Sequence, residues 1–323
     1  MSELERVRLR LDRVREAAGA IDPAFLDTPL SPCAPLGEAL GCSVSLKIET
    51  RNPVGSFKGR GTDTVTAAVR RLGASRVVCA SAGNLGQALA YSGVRRGLVV
   101  TVVAARTASP VKLERIAALG ADLRAEADDI EDARVRAREI AAAEDAYLLE
   151  DSLDLASCEG AATIGLELAR DDPELDVVLV ALGGGALASG VGFALRSLGV
   201  GAEVIGIQPV GAPAMALSWR AGRVVETDSI DTIADGVAGR CPIPEVLEDL
   251  LVVLDDVVLV REDSIMAGMR ALHVHAGLVA EPSAALGIAA ILEQPERFAG
   301  RRVTTIVCGS NVDPADFARW VAA

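Results

Sequence analysis

Short runs of β-branched residues alternate along the chain with Ala- and Leu-rich stretches whose apolar positions recur at helical spacing. The runs Ser43–Glu49, Arg76–Ala80, Leu98–Val103, Tyr147–Glu150, Val177–Leu182, Val204–Gln208 and Val303–Cys308 read as strands. Between them, Gly61–Leu72, Leu85–Arg95, Pro110–Ala118, Ile130–Ala143, Ala161–Arg170, Ala188–Leu198 and Ser264–Ala276 read as helices. This alternation predicts an α/β fold with a parallel sheet and right-handed crossovers. No internal repeat or low-complexity linker interrupts it. Gly-rich segments follow strands directly, where open α/β sheets place their ligand sites.

Composition narrows the picture. A chain of 323 residues is long enough for two domains or one large one. Half of it is hydrophobic but only 3% is aromatic, so the core is built from Ala, Val, Leu and Ile. That suits helices packed closely on a parallel sheet. A formal net charge of −13 argues against nucleic acid as a partner, since phosphate binding needs clustered Lys and Arg. The six cysteines are scattered without a C-x-x-C pair, and the two histidines, His273 and His275, sit two apart on a helical pattern. A zinc site needs a tighter cluster. Free cysteines and a charged N-terminus unlike a secretory signal predict a cytoplasmic protein. The longest apolar run, near Leu98–Ala105, is too short to span a membrane. Lysine occurs three times, as Lys47, Lys58 and Lys112, and the other basic residues are arginine. A lysine inside a Gly-rich loop therefore needs a reason.

Four loops carry candidate chemistry. The first, Asn52-Pro53-Val54-Gly55-Ser56-Phe57-Lys58-Gly59-Arg60-Gly61, places one lysine in a crowded turn before a helix. Desolvation there makes an amine a competent nucleophile, and a solvated surface lysine is the plain alternative. The second, Ser81-Ala82-Gly83-Asn84-Leu85-Gly86-Gln87, opens a helix after a strand. Its backbone N–H groups suit an anion such as a substrate carboxylate, and an ordinary Asn-capped turn is the alternative. The third, Gly183-Gly184-Gly185-Ala186-Leu187, has consecutive N–H groups able to wrap a phosphate. It also scans as G-x-G-x-x-A. A dinucleotide site, however, needs an acid at the end of the next strand, and that strand ends at Gln208. The fourth, Cys308-Gly309-Ser310-Asn311, puts a small polar residue at a strand's C-terminal end, unless Cys308 is simply a buried structural thiol.

With Thr232-Ile233-Ala234-Asp235-Gly236-Val237 and Glu281-Pro282-Ser283-Ala284-Ala285, these segments stand in an order that resembles the fold-type II, tryptophan synthase beta-like, pyridoxal-phosphate enzymes. The resemblance runs from about Thr28 to Asp313 and is strongest to the threonine and serine dehydratase and serine racemase branch. It implies pyridoxal 5′-phosphate held as a Schiff base on Lys58, which also shuttles protons. Phe57 would pack by the cofactor and Asn84 would hydrogen-bond its phenolic oxygen. Gly183, Gly184, Gly185, Ala186 and Leu187 would bind its phosphate, and Cys308 would face its ring nitrogen. Gly236 and Glu281 would line the pocket. Ser81, Ala82, Gly83 and Leu85 would receive the substrate carboxylate. The resemblance also implies a large domain from 1–50 and 152–323, a small inserted domain at 51–151, a homodimer, and a small amino acid as substrate.

Departures refine these expectations. Racemases of this branch resemble S-S-G-N, and alanine at 82 cannot deliver a proton to the second face. Elimination is thus favoured over racemisation. Leu85 stands where relatives often have His, and Ala161 where they often have Gln, which keeps β-replacement on another amino acid open. Gln208 and Ala214 stand where cation-binding relatives carry acids, so no metal site is expected. The chain ends soon after the last motif, which predicts no isoleucine-sensing regulatory domain. The expected reaction is β-elimination from L-threonine or L-serine, giving a 2-oxoacid and ammonia.

Overall fold

The computed structural model describes residues 3–322. Ten strands form two sheets: β1 (Leu30–Pro32), β2 (Ser43–Ile48), β3 (Arg76–Ala80), β4 (Val99–Ala105), β5 (Asp122–Ala127), β6 (Tyr147–Leu149), β7 (Val177–Ala181), β8 (Glu203–Pro209), β9 (Asp256–Val260) and β10 (Arg302–Val307). The larger sheet runs β1-β2-β10-β7-β8-β9 and the smaller β5-β4-β3-β6. Every pairing is parallel except β1 with β2, where Leu30 lies opposite Lys47. The parallel sheets expected from the sequence are present, with one short antiparallel strand added at an edge. A three-residue strand there needs no long crossover and can return antiparallel.

The central strands are apolar along their length because helices cover both faces. In β7 the first four of five residues are buried, and in β10 all but Arg302 are. The larger core gathers Val, Leu, Ile and Ala from β2, β7, β8, β9 and β10 with the helices Leu155–Asp171, Ala186–Ser197 and Leu286–Glu293. The smaller sheet has two cores, one on each face. Val77, Cys79, Val100 and Val102 point into one, and Val78, Val103, Ala133 and Ala137 into the other. The period of two along β3 and β4 explains this division.

The helix Lys58–Arg71 is fixed by close packing. A Cβ at Gly59 would stand 2.1 Å from the Phe25 ring, and one at Gly61 would stand 2.7 Å from the Ser157 carbonyl oxygen. The glycines flanking Arg60 thus let this helix approach Phe25 and the helix Leu155–Asp171.

Arg60, fully buried, completes the attachment. It donates to Glu49 through Nε at 2.8 Å and Nη2 at 2.8 Å, and to Glu167 through Nη1 at 2.6 Å and Nη2 at 2.9 Å. Lys47 Nζ, also fully buried, donates to Glu167 at 2.5 Å. Two cations and two anions balance in the interior. Burial alone would raise the Glu167 carboxyl, but Arg60 and Lys47 bring it down to about 2.

Candidate active site

The loops after β3, β6, β7 and β10 converge on one cleft of about 790 Å³. That is ample for a cofactor together with a small substrate. Lys58, Asn84, Asp151, Gly183, Glu281 and Cys308 all line it. The lysine loop is clamped to the loop after β10. Phe57 N donates to the Cys308 carbonyl at 2.9 Å, and Ser310 N donates to that of Gly55 at 2.9 Å. Gly55 takes φ +62° to make this turn.

Lys58 begins its helix, and its Nζ lies 4.9 Å from the centre of the Phe57 ring. The amine donates to both oxygens of Asp151, at 2.7 and 2.6 Å. Desolvation alone was the expected influence on this lysine, and a carboxylate instead sits against it.

The segment Ser81–Leu85 turns into the helix Asn84–Arg95 with Gly83 as its cap. Gly83 N donates to Ser81 Oγ at 3.1 Å. The rest of this helix start faces the cleft with the donor character that suits a carboxylate. Leu85 lines the cleft and is 5% exposed, packing into the smaller sheet's core. Asn84 is held from both ends. Its Nδ2 donates to Glu281 at 2.8 and 3.1 Å, and its Oδ1 accepts from Asn311 Nδ2 at 2.7 Å.

The glycine loop fits a phosphate. A Cβ at Gly183 would lie 2.9 Å from Val237 Cα, at Gly184 2.6 Å from Ser152 Oγ, and at Gly185 2.4 Å from Val246 Cγ1. Gly185 also has φ +110°. Side chains are excluded at all three positions, and the helix Ala186–Ser197 begins there with its N–H groups and positive dipole end. Ala186 in place of a fourth glycine costs nothing, since it is already in the helix. Gly236 packs by Ser283, whose Oγ is buried without a hydrogen-bond partner among the described residues. An orphan hydroxyl in a cleft lining is a place where a ligand atom completes the bonding. These features fit pyridoxal 5′-phosphate, which Gly183–Leu187 and Lys58 would hold.

Cys308 is 4% exposed, and burial, reinforced by the Glu281 charge, pushes its thiol well above the usual range. It faces the cleft as a neutral group. Gln208 Oε1 accepts from Ala216 N at 2.8 Å, so the amide at the expected lost cation position serves the backbone of a helix.

Burial, with the Asp235 charge adding to it, pushes the Glu281 carboxyl up to about 7 against the opposing effects of Asn84, Asn311 and Lys112. The folded chain therefore keeps a proton that the unfolded chain sheds near its ordinary value of about 4.3. The stabilising contribution of this group is full below about pH 4 and fades as pH rises through about 7, by about 4 kcal/mol in all. The urea midpoint of cofactor-free protein is expected to fall over that window, and Glu281→Gln to flatten the fall. An equally steep fall in Glu281→Gln would place the titration elsewhere, for example at Glu159, which burial also raises to about 7.

Several site residues lie outside the sequence-based set. Asp151 and Ser152 follow β6. Ser152 has φ +64° and accepts from Ala186 N at 3.3 Å, linking this turn to the glycine loop. Lys112 pairs with Asp235, joining the helix Pro110–Ala118 to the 3-10 turn Asp235–Val237. Position at a strand's C-terminal end was the available signal for Asp151.

Comparison with known proteins agrees with this geometry. The family model described as pyridoxal-phosphate dependent enzyme matches residues 21–309. An L-threonine ammonia-lyase of Thermotoga maritima is 33% identical over 306 residues, covering 94% of this chain and 76% of the relative. A phenylserine dehydratase of Ralstonia pickettii is 33% identical over 299 residues, covering 92% and 90%. The solved structure of maize serine racemase superposes with a TM-score of 0.89 at 27% identity, covering 96% of this chain and 98% of that one. The chain belongs to the pyridoxal-phosphate dependent enzymes of fold type II, in the branch of the threonine dehydratases and serine racemases.

Proposed function

We propose that this chain is an ammonia-lyase acting on a small β-hydroxy amino acid, L-threonine or L-serine, with release of a 2-oxoacid and ammonia. One observation carries the reading: Lys58, the helix start at Ser81–Leu85 and the glycine loop all open on one cleft. The names of the Thermotoga and Ralstonia relatives both refer to β-hydroxy amino acids, L-threonine and the larger phenylserine.

Bound at Lys58, pyridoxal 5′-phosphate supplies an electron sink for the pair left at the substrate α-carbon. The chain's own residues do the rest. The N–H groups of Gly183–Leu187 would hold the phosphate, and those of Ser81–Leu85 the substrate carboxylate. Phe57 and Gly236 would bound the ring, and Asn84 would hydrogen-bond its phenolic oxygen. Held between Glu281 and Asn311, that amide has a fixed orientation. Lys58 Nζ would take the α-proton as general base. Ala82 has no proton to offer on the opposite face, so loss of the β-hydroxyl competes with no re-protonation there. A neutral Cys308 facing the ring nitrogen would stabilise the α-carbon pair only weakly, which would favour prompt loss of the leaving group.

We further infer a cytoplasmic homodimer. Six free cysteines support a reducing compartment, and the family resemblance supports the dimer, which light scattering reads directly. We also propose that residues 51–151 form a small domain set into a large one made of 1–50 and 152–323. The four strands of the smaller sheet all lying between Arg76 and Leu149 support this division, and the survival of 51–151 as a protected fragment in limited proteolysis checks it.

Purified protein with added cofactor is expected to show the visible band of the lysine-bound aldehyde and to release 2-oxoacid from L-threonine or L-serine. A band without oxoacid from either would overturn the substrate assignment. No band would overturn the assignment of Lys58 to the cofactor.

A further inference from the structure

Asp151 lies just beyond β6 and belongs to none of the recognised motifs. Its side chain is 36% exposed and opens on the cleft, and Lys58 is its only polar side-chain partner among the described residues. The other cations lining the cleft have partners of their own: Arg138 with Glu150, Arg134 with Glu131, Lys112 with Asp235, and Arg240 with the Asp228 carbonyl. The carboxylate is thus reserved for one amine. An ammonium can donate to both carboxylate oxygens at once, as Lys58 Nζ does, whereas an amine bonded to a cofactor carbon has fewer hydrogens to give. Asp151 therefore stands in the cleft within hydrogen-bond reach of the Lys58 amine.

We propose that Asp151 is the positioning residue for the freed catalytic amine. It holds the Lys58 ammonium formed on taking the substrate's α-proton and keeps it in the cleft for the second proton transfer. The inference rests on the elimination proposed above. The Cα–H bond breaks, its proton goes to Nζ, and its electron pair becomes the Cα–Cβ double bond as the Cβ–O bond breaks. The departing oxygen takes the bond pair and the Nζ proton and leaves as water. Lys58 returns to the neutral amine, and Asp151 keeps its own charge throughout.

The test compares Asp151→Asn and Asp151→Ala with the wild type, with Asp151→Glu as the conservative variant. The position and yield of the visible cofactor band are expected to stay as in the wild type, which also reports folding. Exchange of the α-proton of L-alanine with solvent deuterium isolates the first proton transfer, because alanine has no leaving group. In Asp151→Asn this exchange and the kcat for 2-oxoacid release are expected to fall about 10–100-fold, the scale of a displaced reacting group. KM should change little, and Asp151→Glu should recover part of the loss. Wild-type exchange in Asp151→Asn overturns the proposal. A raised KM with kcat retained overturns it in favour of substrate binding, and loss of the band overturns it in favour of cofactor binding. Failure of the elimination reading looks different: the wild type then carries the band and exchanges alanine but forms no oxoacid, and the exchange rates still decide the role of Asp151.

Discussion

Lys58→Ala is expected to lose both the visible cofactor band and all measurable 2-oxoacid release while the chain stays folded. Two functions disappear with one side chain. The covalent anchor for the cofactor is gone, and so is the base that takes the α-proton, which alone contributes about 10²–10⁴-fold. The fold is expected to survive because Lys58 holds only Asp151, a partly exposed carboxylate that water can solvate. The helix is anchored two residues on by Arg60. The urea midpoint of the cofactor-free variant is therefore expected to match that of the cofactor-free wild type. The decisive measurements are the absorption spectrum and the coupled oxoacid assay on protein whose circular dichroism is unchanged. Oxoacid release at more than a trace by folded Lys58→Ala would remove this residue from its role.

Arg60→Met is expected to fail in the opposite way, through stability. The guanidinium is fully buried and gives five of its hydrogen bonds to Glu49, Glu167 and Thr163. Methionine of similar length leaves two carboxylates inside the protein with only Lys47 to balance them. Breaking a buried ion pair from one side costs about 3–5 kcal/mol, a large share of the roughly 5–15 kcal/mol that holds a typical domain together. The variant is expected to express poorly, and its urea midpoint should fall sharply. The triple replacement of Arg60, Glu49 and Glu167 by apolar residues should recover much of the loss, because it removes the stranded charges with their partner. If Arg60→Met kept the wild-type midpoint, the network would be of no structural consequence.

The contrast between these two residues shows what the sequence could reveal. Seven strands and seven of the helices were legible, because runs such as Val177–Ala181 and Ile306–Val307 end in glycine turns that local rules recognise, while helices such as Ala214–Ala221 and Leu286–Glu293 were not singled out. The three remaining strands escape for separate reasons. Strand β5 is an edge segment, Asp-Leu-Arg-Ala-Glu-Ala, largely half-exposed and rich in charge. Strand β9 lies inside an apolar stretch from Leu250 to Val260 whose helix and strand portions share one composition. Strand β1 is three residues long and ends in proline. Within the site, the lysine loop, the Ser81–Leu85 turn and the glycine loop were legible because each is a contiguous backbone device. Asp151 and the Arg60 network were not, since their meaning comes from partners 93 and 107 positions away. Nothing local in Glu-Asp-Ser or Lys-Gly-Arg-Gly announces such a partner.

The scarcity of lysine has a consequence for how cleanly the protein handles a reactive aldehyde. Pyridoxal 5′-phosphate condenses with any unprotonated amine it meets, and an ordinary surface offers many. Here Lys47 is sealed in the core at 0% exposure, Lys112 is 21% exposed and bound to Asp235, and Lys58 is 14% exposed inside the cleft. No lysine side chain stands free on the outer surface. Stray capture of the cofactor by lysine has almost nowhere to occur, so loading is steered toward a single amine by what the rest of the surface lacks.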